Sequence, residues 1–118
     1  MYTYKARVVK VVDGDTVDVV IDLGFDIHYA CRVRLHGINT PESRTKDLAE
    51  KARGLASKAY VQDWVDGSSE IYLKTFKDAT GKYGRVLGVL YADADMTVSL
   101  NDQLIDAGHA VAYFGGAR

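Results

Sequence analysis

Strict alternation of apolar and polar positions dominates the first third of the chain, the signature of half-buried strands. Tyr4 to Val12 is a run rich in β-branched residues, closed by Asp13-Gly14, a favoured turn pair. Thr16 to Ile21 reads as a second strand, and Asp22-Leu23-Gly24 marks the loop after it. Ile27 to His36 is a third, in which Cys31, Val33 and Leu35 alternate with Arg32, Arg34 and His36. Successive side chains on a strand leave opposite faces, so the apolar set faces a core and Arg34 faces the other way. Gly37 and Pro41 then break the strand and open a loop carrying Asn39, Thr40 and Glu42.

From about Asp47 to Val65 the period becomes helical. Leu48, Ala52, Leu55, Ala59 and Tyr60 form the stripe expected to be buried, and Gly54 weakens the case for one unbroken helix. Asp66-Gly67-Ser68 ends it. Glu70 to Phe76 and Val86 to Ala92 are two further strands, joined by a polar loop over 77–82. A second helix starts near Ser99, whose hydroxyl can cap its first turn, with Gly108 just past its end. The tail 114–118 has no periodicity and is expected to be loose. Five short strands with a helix between the third and fourth predict an α+β, mainly β fold: a five-stranded OB-type Greek-key barrel with two packed helices.

A length of 118 residues, with no linker or internal repeat, predicts one domain over 1–118. An apolar share of 47% supports a real core. A net charge of −1 excludes a strongly basic protein that coats nucleic acid, though not an enzyme using a few local charges. Cys31 is the single cysteine, so no internal disulfide and no cysteine metal site exist. The first residues lack the apolar core of a secretion signal, and no run is long enough to span a bilayer, which predicts a cytoplasmic protein away from membranes.

Three segments carry the chemistry: Asp13-Gly14-Asp15-Thr16, Arg34 through Glu42, and Lys82-Tyr83-Gly84-Arg85. Each is bland alone: an Asp-Gly hairpin turn, a proline-containing polar loop, the start of a strand. Together they offer oxygen donors, a further carboxylate and two guanidinium groups. That is the inventory for cleaving a phosphodiester with a hard cation, since a water must lose a proton and charge on the phosphate must be neutralised. Arginine suits the second task because its planar fork pairs two phosphate oxygens and keeps its proton. None of the three histidines, His28, His36 and His109, falls on a position that carries this chemistry, and Trp64 with most tyrosines is better read as packing.

In order and spacing, from about Val8 to Tyr113, these segments resemble the staphylococcal nuclease family. The resemblance implies a calcium-dependent endonuclease acting on DNA and RNA with little sequence preference. It implies that Arg34 and Arg85 clamp the scissile phosphate and that Glu42 acts as general base. Asp15, Asn39 and Thr40 match the metal-ligating positions, Thr40 through its backbone carbonyl. Lys82, Tyr83 and Tyr113 match groups that hold the rest of the nucleotide. Carboxylate, carbonyl and water ligands suit Ca²⁺ or another hard divalent cation.

Three departures stand out. Asn39 occupies a position where the family's nucleases usually carry a second metal-binding Asp, so one negative charge is missing, with Asp13 and Asp18 as candidates to replace it. The loop after Glu42 is shorter, and the third, C-terminal helix of secreted relatives is absent. Two readings follow: an enzyme, expected to be monomeric with a nucleic acid substrate, or a non-catalytic OB-type module that binds nucleic acid or protein. The presence of Arg34, Glu42 and Arg85 together favours the enzyme.

Overall fold

In a computed structural model, residues 2–76 and 85–113 are described, Arg85 by its backbone alone. The elements in chain order are β1 (Tyr2–Asp13), β2 (Thr16–Asp22), β3 (His28–Leu35), β4 (Ile38–Asn39), α1 (Leu48–Asp66), β5 (Ile71–Phe76), β6 (Arg85–Tyr91), α2 (Leu100–Asp106) and β7 (Val111–Ala112). Five strands close a barrel in the order β1-β2-β3-β6-β5. All its pairs are antiparallel except β3 with β6, where Arg32 lies beside Arg85 and Leu35 beside Gly88. The five-stranded, OB-like α+β barrel with two helices is therefore present as the alternation predicts.

Closure depends on β1, which pairs with β5 through its first half and with β2 through its second. Irregularities between Val8 and Lys10 and between Val11 and Asp13 bend it to serve both neighbours. Inside, Val11, Val17, Val19, Ile21, Val33, Leu35, Leu73 and Leu90 fill the barrel, and Leu100 and Leu104 of α2 join the same core. Among the described residues no helix is long and apolar enough to cross a membrane.

Two short strands escape the sequence reading. Ile38 pairs with Ala112 and Asn39 with Val111, so β4 and β7 form a small separate sheet where an open loop was expected. Two-residue strands carry too few positions for a period to register. Asn101 is another surprise. Buried at the start of α2, it donates from Nδ2 to the carbonyls of His36 (2.8 Å) and Gly88 (3.3 Å) and accepts from the Leu90 amide (3.4 Å). It thus binds α2 to β6 and to the chain leaving β3.

Helix α1 is unbroken, and its buried stripe differs from the predicted one. Asp47 caps it, accepting from the amides of Ala49 (3.0 Å) and Glu50 (3.2 Å). Its buried positions are Gly54, Ser57 and Val61, whereas Leu48 and Leu55 are 79% and 47% exposed. The reason is close approach. A Cβ on Gly54 would stand 2.4 Å from the carbonyl carbon and oxygen of Glu42, and one on Gly14 would stand 2.7 Å from Ser57 Cβ. Small residues bring the helix backbone against the 42–43 segment and the β1–β2 turn, so the larger apolar side chains turn outward. In a free helix Gly to Ala gains about 1 kcal/mol. Here we expect Gly54→Ala to lose about 1–3 kcal/mol, the typical cost of overpacking. Urea denaturation checks the sign.

Candidate functional site

A cleft of about 930 Å³ opens where the β1–β2 turn, the end of β3, the segment after β4 and the face of α1 meet. It is lined by Asp15, Arg34, Asn39, Thr40 and Glu42, which the sequence separates by up to 27 positions. The turn itself is tight: Asp13 and Thr16 are register partners, leaving Gly14 and Asp15 between them.

Asp15 is held at both ends. Its carbonyl accepts from the Leu35 amide (2.8 Å), and its carboxylate accepts from Thr16 Oγ1 (3.0 Å) and the Thr40 amide (3.2 Å). Arg34 Nη2 stands 3.6 Å from the same carboxylate. Arg34 also donates through Nη1 to the Leu35 carbonyl (3.0 Å) and through Nη2 to Asn39 Oδ1 (3.2 Å). Its side chain and that of Asp15 are only 19% and 14% exposed, so the pair sits recessed in the cleft wall. Of five guanidinium N–H groups, two make hydrogen bonds among the described residues, and Asp15 stands close as an ion-pair partner.

The loop after β4 supplies the rest. Glu42 is exposed in the cleft, and among the described residues no ion pair holds its carboxylate. Thr40 is buried, and among the described residues its Oγ1 finds no hydrogen-bond partner. A buried hydroxyl left unpaired costs free energy, and such groups collect at functional sites.

Both candidate replacements for the charge missing at Asn39 already have partners. Asp13 accepts from the Ser43 hydroxyl and lies 3.4 Å from Arg44 Nη2. Asp18 is engaged by Arg32, whose hydrogen bond holds the Asp18 carboxyl below its ordinary pKa. Among the described residues no three His, Cys, Asp or Glu side chains converge as a metal cluster. The donors at Asp15, Asn39 and Thr40 are all oxygen, which fits a hard cation held by few charges and does not fit zinc.

Other candidates fall elsewhere. Tyr113 follows β7, donating its amide to the Gly37 carbonyl (2.8 Å), and does not line the cleft. Arg85 begins β6 with its backbone beside Arg32. Lys82 and Tyr83 lie outside the described residues. Conversely, the cleft wall includes Arg32, Arg44, Glu50 and Arg53, which the sequence reading gave no site role, beside Asp13, which it offered as a substitute charge. Only Arg32 carried a signal, since it lies two residues before Arg34 on the same strand face.

Family comparison agrees with this geometry. The profile of the family described as staphylococcal nuclease homologue matches residues 32–117. The chain belongs to that family. It is similar to a micrococcal nuclease of Shigella flexneri, 28% identical over 116 residues, covering 93% of this chain and 59% of the relative. It is also similar to an uncharacterized endonuclease of Escherichia coli, 34% identical over 107 residues, covering 91% and 60%. A protein ParB of Escherichia coli is 30% identical over 115 residues, covering 92% and 57%. The chain therefore spans somewhat under two thirds of the length of these relatives.

The lone hydroxyl gives a direct test of the site. Thr40→Val keeps the shape and removes the unpaired group, so it should stabilise the free protein by about 1 kcal/mol. A thermal melt without added cation reads this. A lower melting temperature would mean that the hydroxyl has a partner.

Proposed function

We propose that this family member is a metal-assisted phosphodiesterase that cuts nucleic acid chains internally. The observation that carries it is the joint presence, in one recessed cleft, of the Arg34 guanidinium and of Glu42, whose carboxylate has no ion-pair partner among the described residues. The names of the relatives support a nucleic acid substrate.

In this reading Arg34 grips two non-bridging oxygens of the scissile phosphate and balances the charge that grows on them. Glu42 accepts a proton from the attacking water, whose oxygen bonds to phosphorus as one P–O ester bond breaks. The leaving oxygen takes a proton from solvent. Asp15, with the Asn39 amide oxygen and the Thr40 carbonyl, would hold Ca²⁺ or a similar cation, which supplies positive charge to the phosphate oxygens. Arg85, Lys82, Tyr83 and Tyr113 keep the phosphate-clamping and nucleotide-holding roles that the resemblance implies.

One observation favours the alternative, a binding module without catalysis. Asn39 is neutral and its oxygen faces Arg34, so the cation site rests on a single well-placed carboxylate. Digestion of single- and double-stranded DNA and of RNA, with calcium, with magnesium and with a chelator, separates the two. We expect cleavage with a cation, none with chelator, and a loss of roughly a hundredfold or more for Arg34→Lys, because an ammonium cannot form the two-pronged contact. Binding without cleavage under every condition would establish the module instead.

The Asn39 position sets the cation requirement. Asn39→Asp adds one charge to the donor set at equal size, so calcium affinity should rise by about tenfold, about 1.4 kcal/mol. Calorimetric titration of both proteins measures it. An unchanged affinity would mean that position 39 does not limit cation binding.

A further inference from the structure

Outside the phosphate grip at Arg34, the outer face of the barrel carries a second, differently built cationic point. Arg32 and Arg34 are two residues apart on β3, so their side chains leave the same face about 6.7 Å apart along the strand. Both line the same cleft. That separation is close to the step between successive phosphates of an extended nucleic acid strand.

Arg32 is held by Asp18, its register partner on β2, in a two-pronged contact: Nε to Oδ1 at 2.8 Å and Nη2 to Oδ2 at 3.2 Å. The next residue in the row is Lys10 on β1, register partner of Asp18 on its other side. The Arg32 hydrogen bond lowers the pKa of Asp18, and the charges of Arg32 and Lys10 add in the same sense. One carboxylate therefore faces two cations, and the row keeps a surplus positive charge. Among the described residues three N–H groups of Arg32 have no partner, and its side chain is 49% exposed.

As a stability device this pair is weak, since solvent screens an exposed ion pair. What it does is fix the guanidinium. A long flexible side chain loses rotamer freedom when it grips a ligand, and a clamp already in place removes part of that cost. We propose that Arg32, clamped by Asp18 and backed by Lys10, is a second phosphate-binding point, taking the phosphate next to the one held at Arg34. This deepens the nuclease reading and rests on it: the site measures a stretch of chain and so favours oligonucleotides over isolated diesters.

Fluorescence anisotropy with labelled oligothymidylates of two and six nucleotides, in chelator to prevent turnover and at several salt concentrations, tests the assignment. The wild-type protein should bind the six-mer more tightly than the dinucleotide. Arg32→Gln should weaken six-mer binding by roughly three- to tenfold and reduce the salt slope by roughly 0.7, the contribution of one phosphate contact on a single strand. The dinucleotide, with its single internal phosphate, should lose far less. Lys10→Gln, at an exposed position, should shift six-mer binding in the same direction, which guards against a folding artefact in the first variant. If the wild-type protein cleaves DNA and prefers the six-mer but both variants bind it unchanged, the second phosphate point is wrong and the nuclease reading stands. If the wild-type protein neither binds nor cleaves either length, both fall together.

Discussion

The hydrogen bonds of Asp15 are the constraint on which the rest of the site depends. Its backbone carbonyl pins the β1–β2 turn to the end of β3, and its carboxylate pins the segment after β4 through the Thr40 amide. Arg34 approaches the same carboxylate, so three pieces of chain distant in sequence meet at one side chain. A charge-assisted bond to a backbone amide is among the stronger neutral–ionic contacts in proteins. The recessed position raises its worth, because water competes poorly there. Any change at Asp15 is therefore at once a structural and a chemical change, and loss of function at that position cannot be assigned to cation binding alone.

Around this node the fold places two further fixings. Gly14 and Gly54 let α1 press its backbone against the turn and against Glu42, which makes the helix a wall of the cleft. Ser57, fully buried, lies within hydrogen-bond reach of the His109 carbonyl (2.8 Å), tying that wall to the chain entering β7. On the other side Asn101 satisfies the carbonyls of His36 and Gly88, where a Cβ on Gly88 would collide with Leu73 Cδ1 at 2.4 Å. The site is thus carried on packed elements even though Thr40 and Glu42 lie on a connecting segment. Precise placement of catalytic groups asks for that kind of support.

Sequence alone revealed the barrel because each of its strands is long enough for period-2 alternation to show, and β3 displays it with Val33 and Leu35 inward and Arg34 outward. The capped start of α2 was equally legible, since the Ser99 hydroxyl acts locally on the Asp102 amide; the start of α1 was placed near Asp47 from the period alone, and its cap emerges only in the structure. The buried face of α1 was not. Hydrophobicity points to Leu48 and Leu55, but the helix is chosen for closeness, and glycine and serine carry no hydrophobic signal. The small β4–β7 sheet was hidden for a related reason, being defined by a long-range partner rather than by its own two residues. At the site, the gathering of Asp15, Arg34, Asn39, Thr40 and Glu42 follows from the motif order. The engagement of Asp13 by Ser43 and Arg44 and of Asp18 by Arg32 depends on side-chain geometry that no spacing encodes.

The charges lining the cleft give the arrangement its chemical sense. Asp13, Asp15, Glu42 and Glu50 face Arg32, Arg34, Arg44 and Arg53, four against four, with Asn39 standing where a fifth acid would tip the balance. Among the described residues the charges lining the cleft are close to balanced, and much of the balance is local: Arg34 with Asp15, Arg32 with Asp18, Arg44 with Asp13. A phosphodiester entering such a place meets guanidinium groups whose partners already hold them in position, so it loses less to their ordering. It also meets carboxylates that repel it. Neutral asparagine at position 39 adds no further negative charge to the cleft, and its side-chain oxygen instead accepts from Arg34 Nη2 at 3.2 Å, so the residue holds the guanidinium in place where a carboxylate would also neutralise it.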